Sequence, residues 1–221
     1  MQPGTWRVFP AGVSQGWYIG LEEFKDRLGI TDDTDDYQCQ IAIQAAAQAV
    51  NNFCGRHFNR ITETRTFEPS NVWLLDVDDI VPGTPCQVNL DLQGNGVYSE
   101  ALVQNTDYVL RYGRGMFNQN FLGEPRPYRQ LQIIQTGNWL PFTWQYARLD
   151  RVQIITTWGW PSVPSPVTTG SFILAQDLFS LRNAPFGIMG MADLGIAKIK
   201  QNPMLTRMLE RYVNARHAIG I

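Results

Sequence analysis

The fold of this chain is indicated by one stretch, residues 157–164, which reads TWGWPSVP. Before it, apolar and polar residues alternate from Val152 to Thr156, which predicts a half-buried strand. After it, apolar residues recur at helical spacing from Val167 to Leu181, which predicts an amphipathic helix. The prolines restrict φ, and we expect Ser165 to cap the start of the helix. The stretch therefore predicts a rigid corner between a strand and a helix.

Further helices are predicted at both ends of the chain. A short apolar pattern over residues 21–28 ends at a glycine, and the acidic residues 32–36 then stand at the positive end of a second helix. The apolar face of that helix runs from Cys39 to Phe53, and its alanines predict close packing against another helix. A last helix begins at Asn202-Pro203, a capping residue followed by the residue preferred at the first helical position.

The middle of the chain, residues 62–157, is predicted to be β-rich. Short apolar or alternating runs bounded by Gly, Pro, Asn and Asp are typical of strands. Residues 113–127 are rich in Gly, Asn and Pro and predict a long exposed loop. The predicted strands lie near residues 72–77, 86–92, 97–98, 108–110 and 131–134, with a turn at Gly94-Asn95-Gly96.

The order of corner, helix, glycine linker and helix resembles the head-to-tail connector (adaptor) proteins of long-tailed double-stranded DNA phages. The resemblance is closest over residues 150–213, and the opening of the chain resembles that of the same family. The matching C-terminal residues are Gly159-Trp160-Pro161, Val163-Pro164, Leu178-Phe179, Arg182, Ala184-Pro185-Phe186-Gly187, Asn202-Pro203, Leu209 and Tyr212. The matching N-terminal residues are Gly29-Ile30, Asp35-Asp36 and Cys54-Gly55-Arg56-His57-Phe58.

The resemblance and the pattern together predict an α+β fold. Three or four helices would form a small bundle from residues 17–61 and 158–213, and the β-rich insertion, residues 62–157, would project from it. Residues 1–16 are predicted to be an extended arm, and residues 214–221 a C-terminal tail.

The resemblance also implies a function. The chain would be a structural subunit of a virion neck, assembled in the host cytoplasm and located at the head–tail junction. It would form a homo-oligomeric ring, a dodecamer, that joins the portal protein to the next neck or tail-terminator protein. DNA would pass through the ring without sequence-specific binding. No cofactor, metal or membrane is expected, and no catalytic residue.

Charge is divided unevenly along the chain. The net charge is only −2, which does not predict a nucleic-acid-binding surface. Residues 22–36 hold seven acids against two bases, whereas residues 198–217 hold five bases against one acid. Either these segments are solvated helix faces, or the acidic segment of one copy contacts a basic surface of the next.

Candidate interface residues come from the charged and apolar side chains of three segments. The C-terminal set is expected to contact the portal, and the other two sets a neighbouring subunit or the tail side. The C-terminal set is Arg207, Arg211, Tyr212, Arg216, His217, Ile219 and Ile221. The other sets are Asp32, Asp33, Asp35 and Asp36, and the loop residues Met116, Phe117, Phe121 and Leu122.

The sequence leaves two other classes of function open. A carbohydrate-binding β-module could use the aromatic rings of Trp73, Trp139, Trp144, Trp158 and Trp160, but a module of that class would be nearly all β. A hydrolase could use the carboxylates of Asp76, Asp78 and Asp79, although residues 79–82 are expected to form a turn that ends a strand.

The sequence gives little support for a metal site or a redox site. Residues 91–96 superficially resemble a calcium loop, but Leu102 stands where a bidentate Glu is needed, so a hairpin turn is predicted. The two histidines, His57 and His217, cannot form a zinc site without further ligands. The three cysteines form no C-x-x-C pair, which favours free thiols.

Overall fold

The computed structural model describes residues 17–69, 73–113, 125–134, 151–181 and 191–214. Within these ranges the protein is α+β, with five helices and seven strands. The chain divides into two compact units. One comprises residues 1–57 and 163–221 and holds the helices, and the other comprises residues 58–162 and holds the strands.

The helical unit is organised around its second and longest helix, which contacts each of the other four. Its predicted apolar face is buried, including Cys39, Ile43 and Val50. The other helices also contribute buried apolar side chains, among them Phe24 of α1 and Leu174 of α3. The helices are α1 Leu21–Leu28, α2 Asp36–Cys54, α3 Ser165–Ser180, α4 Met191–Gln201 and α5 Pro203–Glu210.

Small residues let these helices approach closely, as the alanine run predicts. A Cβ atom on Gly195 of α4 would lie 2.6 Å from Cβ of Ala49 on α2, which is closer than two carbons can pack. A Cβ atom on Gly170 of α3 would lie 3.4 Å from the Leu209 side chain of α5. Glycine at residue 195 is therefore a requirement of the packing between α2 and α4.

The helix prediction was wrong in two respects. The described ranges contain five helices where three or four were expected, because α4 forms despite Gly195, whose low helix propensity hid it in the sequence. Ser165 is the first residue of α3 and Pro164 holds the cap position, so Ser165 does not cap. The Asn202 cap is confirmed, since its Oδ1 accepts hydrogen bonds from the backbone N–H of Met204 at 3.0 Å and Leu205 at 3.3 Å.

The sheet is organised around its last strand, β7. Buried and half-buried residues alternate along this strand, as the sequence predicts. β7 pairs with β1 along its whole length and with β3 from Val152 to Thr156. The remaining strands extend the sheet in the order β4-β3-β7-β2-β6-β5, and all pairings between these strands are antiparallel. The strands are β1 Ile61–Phe67, β2 Leu74–Ile80, β3 Cys86–Leu90, β4 Glu100–Leu102, β5 Tyr108–Arg111, β6 Tyr128–Ile133 and β7 Val152–Trp158.

The β unit has its own apolar core, to which every strand except β1 contributes a buried side chain. The core residues are Leu75, Val77, Ile80, Val88, Leu90, Leu102, Tyr108, Leu131, Ile133, Val152, Ile154 and Trp158.

One predicted strand is displaced. The chain was expected to return at residues 97–98, but β4 begins only at Glu100. The Asp91 carboxylate accepts backbone N–H groups of Asn95 and Gly96, and Asn95 accepts that of Val97, so the chain is still turning there. The predicted hairpin turn itself is confirmed, with left-handed φ values of 68° at Gly94 and 86° at Gly96.

None of the helices in the described ranges is both long enough and apolar enough to cross a membrane.

Candidate interface surfaces

The acidic segment lies on the outside of the helical unit. We define the acidic surface as the acidic side chains of residues 22–36 together with Tyr37. Glu22, Glu23, Asp26, Asp32 and Asp33 are exposed, and Asp35 and Asp36 are half-buried. Tyr37, at the start of α2, is 60% exposed and stands beside these carboxylates in the sequence. The predicted acidic residues are thus largely accessible to a partner.

Some of these acids are already used within the unit. Asp36 Oδ1 lies 2.6 Å from Lys25 Nζ, and this hydrogen bond raises the pKa of the Lys25 ammonium against the opposing effect of burial. Glu23 pairs with Arg27 across one helical turn at 2.8 Å. Asp36 therefore anchors α1 to α2, and it differs in role from the exposed Asp32 and Asp33.

Helix α5 separates its side chains into two faces. Leu205, Leu209 and Tyr212 are buried. We define the α5 outer face as Met204 and Arg207 together with Arg211, the residue that caps the C-terminal end of the helix; the three are spaced by three and four residues and are all exposed. Met204 is 59% exposed, and sequence reasoning missed it, although its spacing from the two arginines was visible.

The predicted portal-contact set is therefore divided. Arg207 and Arg211 are accessible, whereas only 5% of Tyr212 is exposed, which leaves its side chain little surface for a partner. The end of the described chain is fixed, since Asn214 N donates to Cys54 O at 2.8 Å. The remaining candidates lie outside the described residues: Arg216, His217, Ile219, Ile221, Met116, Phe117, Phe121 and Leu122.

The corner at Trp160 is held by a buried polar contact. Trp160 is 4% exposed, and its Nε1 donates to Asp79 Oδ2 at 3.0 Å. Asp79 Oδ1 also lies 3.6 Å from Arg129 Nε, and the Trp160 ring packs against Phe58 with centroids 5.4 Å apart. Neighbouring Gly159 has φ 110° and donates its N–H to Asp79 O.

The Asp76–Asp79 cluster serves the architecture of the sheet. Asp76 accepts from Gln130 Nε2 at 2.7 Å, and Asp78 pairs with Arg65 at 2.8 Å. The expectation that Asp79 begins a turn was wrong. It lies within β2, where an irregularity in the pairing with β6 accompanies its burial, and the turn follows at residues 82–84. Among the described residues no group of acids, histidines and cysteines could hold a metal ion.

Some of the tryptophans that suggested a sugar-binding surface are buried within the fold. Trp158 is fully buried, donates from Nε1 to Glu63 O at 2.9 Å and carries the Arg65 guanidinium 4.6 Å above its ring. Trp160 is buried at the corner, and Trp73 is half-buried. Trp139 and Trp144 lie outside the described residues. Two of the five rings are therefore unavailable for stacking on a sugar.

The buried thiols and the Asp91 loop have structural roles. Cys39 and Cys54 are buried in the helical core, and burial raises the pKa of Cys54 to about 12. At Asp91 burial opposes ionisation, but the backbone N–H groups of residues 93–96 outweigh it and hold the pKa of the carboxyl below its usual value. Arg151 donates to the carbonyls of Asp91 and Leu92 at 3.2 Å, which fixes the same loop.

Comparison with known proteins confirms the resemblance read from the sequence. Residues 18–83 match the family described as phage gp6-like head-tail connector protein. These residues comprise α1, α2, β1 and β2, so the match supports the N-terminal part of the resemblance, and the C-terminal motif lies outside it. None of the curated proteins matches the chain.

Two of the solved structures that match this chain align with nine tenths or more of it. One, described as the neck of an empty GTA particle computed with C6 symmetry, gives a TM-score of 0.57 at 15% identity, over 90% of this chain and 91% of that chain. The other, described as the virion of a native gene transfer agent particle, gives a TM-score of 0.49 at 15% identity, over 93% and 94% of the two chains. Because the sequence identity is only 15%, the similarity to the GTA neck chain shows a shared fold alone.

Proposed function

We propose that this protein is a structural subunit of the neck of a phage-like virion. It forms a ring at the head–tail junction, between the portal and the next neck or tail-terminator protein. The observation that carries the proposal is the connector-family match over residues 18–83. The likeness of the fold to a chain from a GTA neck supports it over most of the remaining length.

The subunit acts by assembly. The carboxylates of Asp76, Asp78 and Asp79, the candidates for hydrolysis, are engaged by Gln130, Arg65 and Trp160, and the exposed charged and apolar side chains of α1, α2 and α5 form surfaces. Such surfaces suit contacts between subunits, where Arg, Tyr and Met are enriched. The proposed activity is therefore the joining of head to tail.

The ring is proposed to contain twelve copies. The GTA neck was computed with C6 symmetry, and twelve copies are compatible with that symmetry because six divides twelve. Chains of 25.1 kDa give about 300 kDa for twelve copies and about 150 kDa for six. Native mass measurement of the assembled ring separates these two numbers.

DNA is proposed to pass through the ring without being held. The net charge of −2 provides no general attraction for phosphate, and tight phosphate contacts would resist movement of the DNA. The proposal predicts that the ring binds DNA weakly and without preference for base sequence, and that this binding is lost at physiological salt.

The residues after Asn214 are proposed to dock onto the portal. They end in Ile219-Gly220-Ile221, and the hydrogen bond from Asn214 N to Cys54 O lies before the point of truncation. A chain ending at Asn214 should therefore fold with an unchanged melting temperature and lose co-sedimentation with portal. Normal head–tail joining by the truncated chain would contradict this part of the proposal.

Electron microscopy of the full chain, alone and mixed with the portal of the same particle, tests the function as a whole. The expected result is a ring that stacks coaxially on the portal. A chain that stays monomeric in both samples, at concentrations where the portal is intact, would overturn the proposal.

A further inference from the structure

The α5 outer face is an unusual surface for a chain whose net charge is negative. Its two arginines follow the exposed Met204 at helical spacing, and neither Arg207 nor Arg211 forms an ion pair within the part of the chain that the structure describes. Methionine and arginine are both enriched at protein interfaces relative to the rest of the surface. The face is therefore suited to a partner that offers carboxylates beside an apolar or aromatic side chain.

The same chain carries a surface with those properties. On the acidic surface, Asp32 and Asp33 are exposed and form no ion pair among the described residues. Tyr37, four residues after Asp33 in the sequence, supplies an exposed aromatic ring, and an arginine can both pair with carboxylates and stack on such a ring. The acidic surface thus offers the carboxylates and the aromatic ring that complement the side chains of the α5 outer face.

We infer that the α5 outer face of one copy docks onto the acidic surface of a second copy, with Met204 against Tyr37 and Arg207 and Arg211 against Asp32 and Asp33. This inference rests on the proposed ring, and it leaves the portal to the residues after Asn214. The contact joins two different surfaces, so it is head-to-tail, and repetition of such a contact closes a ring or extends a filament.

Charge reversal with rescue tests the inference on the full chain. Arg207→Glu with Arg211→Glu, or Asp32→Lys with Asp33→Lys, places like charges opposite each other and should weaken association about tenfold or more at low salt. All four changes in one chain should restore assembly, because every contact then again joins opposite charges. Glu68→Lys with Glu100→Lys, two exposed acids of the β unit, is the matched control and should assemble as the parent does.

Sedimentation velocity at two salt concentrations gives the readout, with melting temperature as the check on folding. The inference is overturned if either reversed pair assembles like the parent, or if the fourfold variant stays dissociated while folded. It is also overturned if Arg207→Glu with Arg211→Glu loses only portal binding or only DNA retention. If the parent chain itself forms no ring, the proposed function fails, and the inference fails with it.

Discussion

Trp160 should be among the most sensitive positions in the β unit. Trp160→Ala removes a side chain that is 4% exposed, its contact with Phe58 and its hydrogen bond to Asp79. Truncation of a buried aromatic costs about 3–5 kcal/mol, and for a chain of this length each kcal/mol lowers the melting temperature by about 2–4 °C. The expected loss is therefore about 6–20 °C.

A second variant separates the hydrogen bond from the packing. Trp160→Phe keeps an aromatic ring but removes the Nε1 donor, and a buried acceptor that loses its donor costs about 1–3 kcal/mol. Asp79 keeps its contact with Arg129, which favours the lower part of that range. The Phe variant should thus lose clearly less stability than the Ala variant.

Thermal unfolding followed by circular dichroism measures both variants. Val97→Ala is the control, since Val97 lies in the same unit, is 59% exposed and keeps the backbone N–H that bonds to Asn95. Its melting temperature should match that of the parent. A loss under about 1 °C for Trp160→Ala would refute the reasoning and revive the sugar-platform alternative.

Three further predictions follow from the described geometry and the sequence. Gly159→Ala should destabilise the protein by several kcal/mol, because φ is 110° and the new Cβ would lie 2.0 Å from Asn59 O. Urea unfolding should show a lower midpoint for the variant, and a midpoint equal to that of the parent would contradict the prediction. Asp91→Ala should lower the melting temperature at neutral pH. Because the folded pKa of Asp91 is depressed, its contribution is present above about pH 3.8 and is lost as the pH falls through the folded value, so parent and variant should converge in acid. Residues 113–127 should exchange amide hydrogens quickly in the monomer and slowly in the assembled neck, whereas equal protection in both would assign the loop to its own chain.

The helices and strands were predicted best where periodicity is strong and local. The alternating residues of β7, the apolar face of α2 and the Asn202-Pro203 start of α5 could all be read from spacing and capping chemistry. The same is true of the Asp91 turn, whose residues specify their own hydrogen bonds. The connector resemblance came from such local motifs, and the family match over residues 18–83 confirms its N-terminal part.

Other features depend on which segments meet. Helix α4 was missed because Gly195 lowers local helix propensity, and only contact with Ala49 of α2 shows why glycine is required there. Asp79 was predicted to begin a turn, but it lies inside β2, and its buried carboxylate accepts a hydrogen bond from Trp160, 81 residues away in the chain. The same holds for the candidate surfaces: the arginines of α5 were visible in the sequence, but their exposure beside Met204, and the burial of Tyr212, were not.

The sequence by itself determined the α+β class, most element positions, the corner at residues 157–164 and the family resemblance. Each of these depends on dihedral preferences, capping and periodicity within a few residues, which are properties of the local chain. Only the tertiary structure decided the order of the strands, the close approach of α4 to α2, and which charged residues are satisfied internally and which face outward. Those outcomes depend on burial and on pairs of residues far apart in the chain, such as Asp79 and Trp160, so no local pattern encodes them.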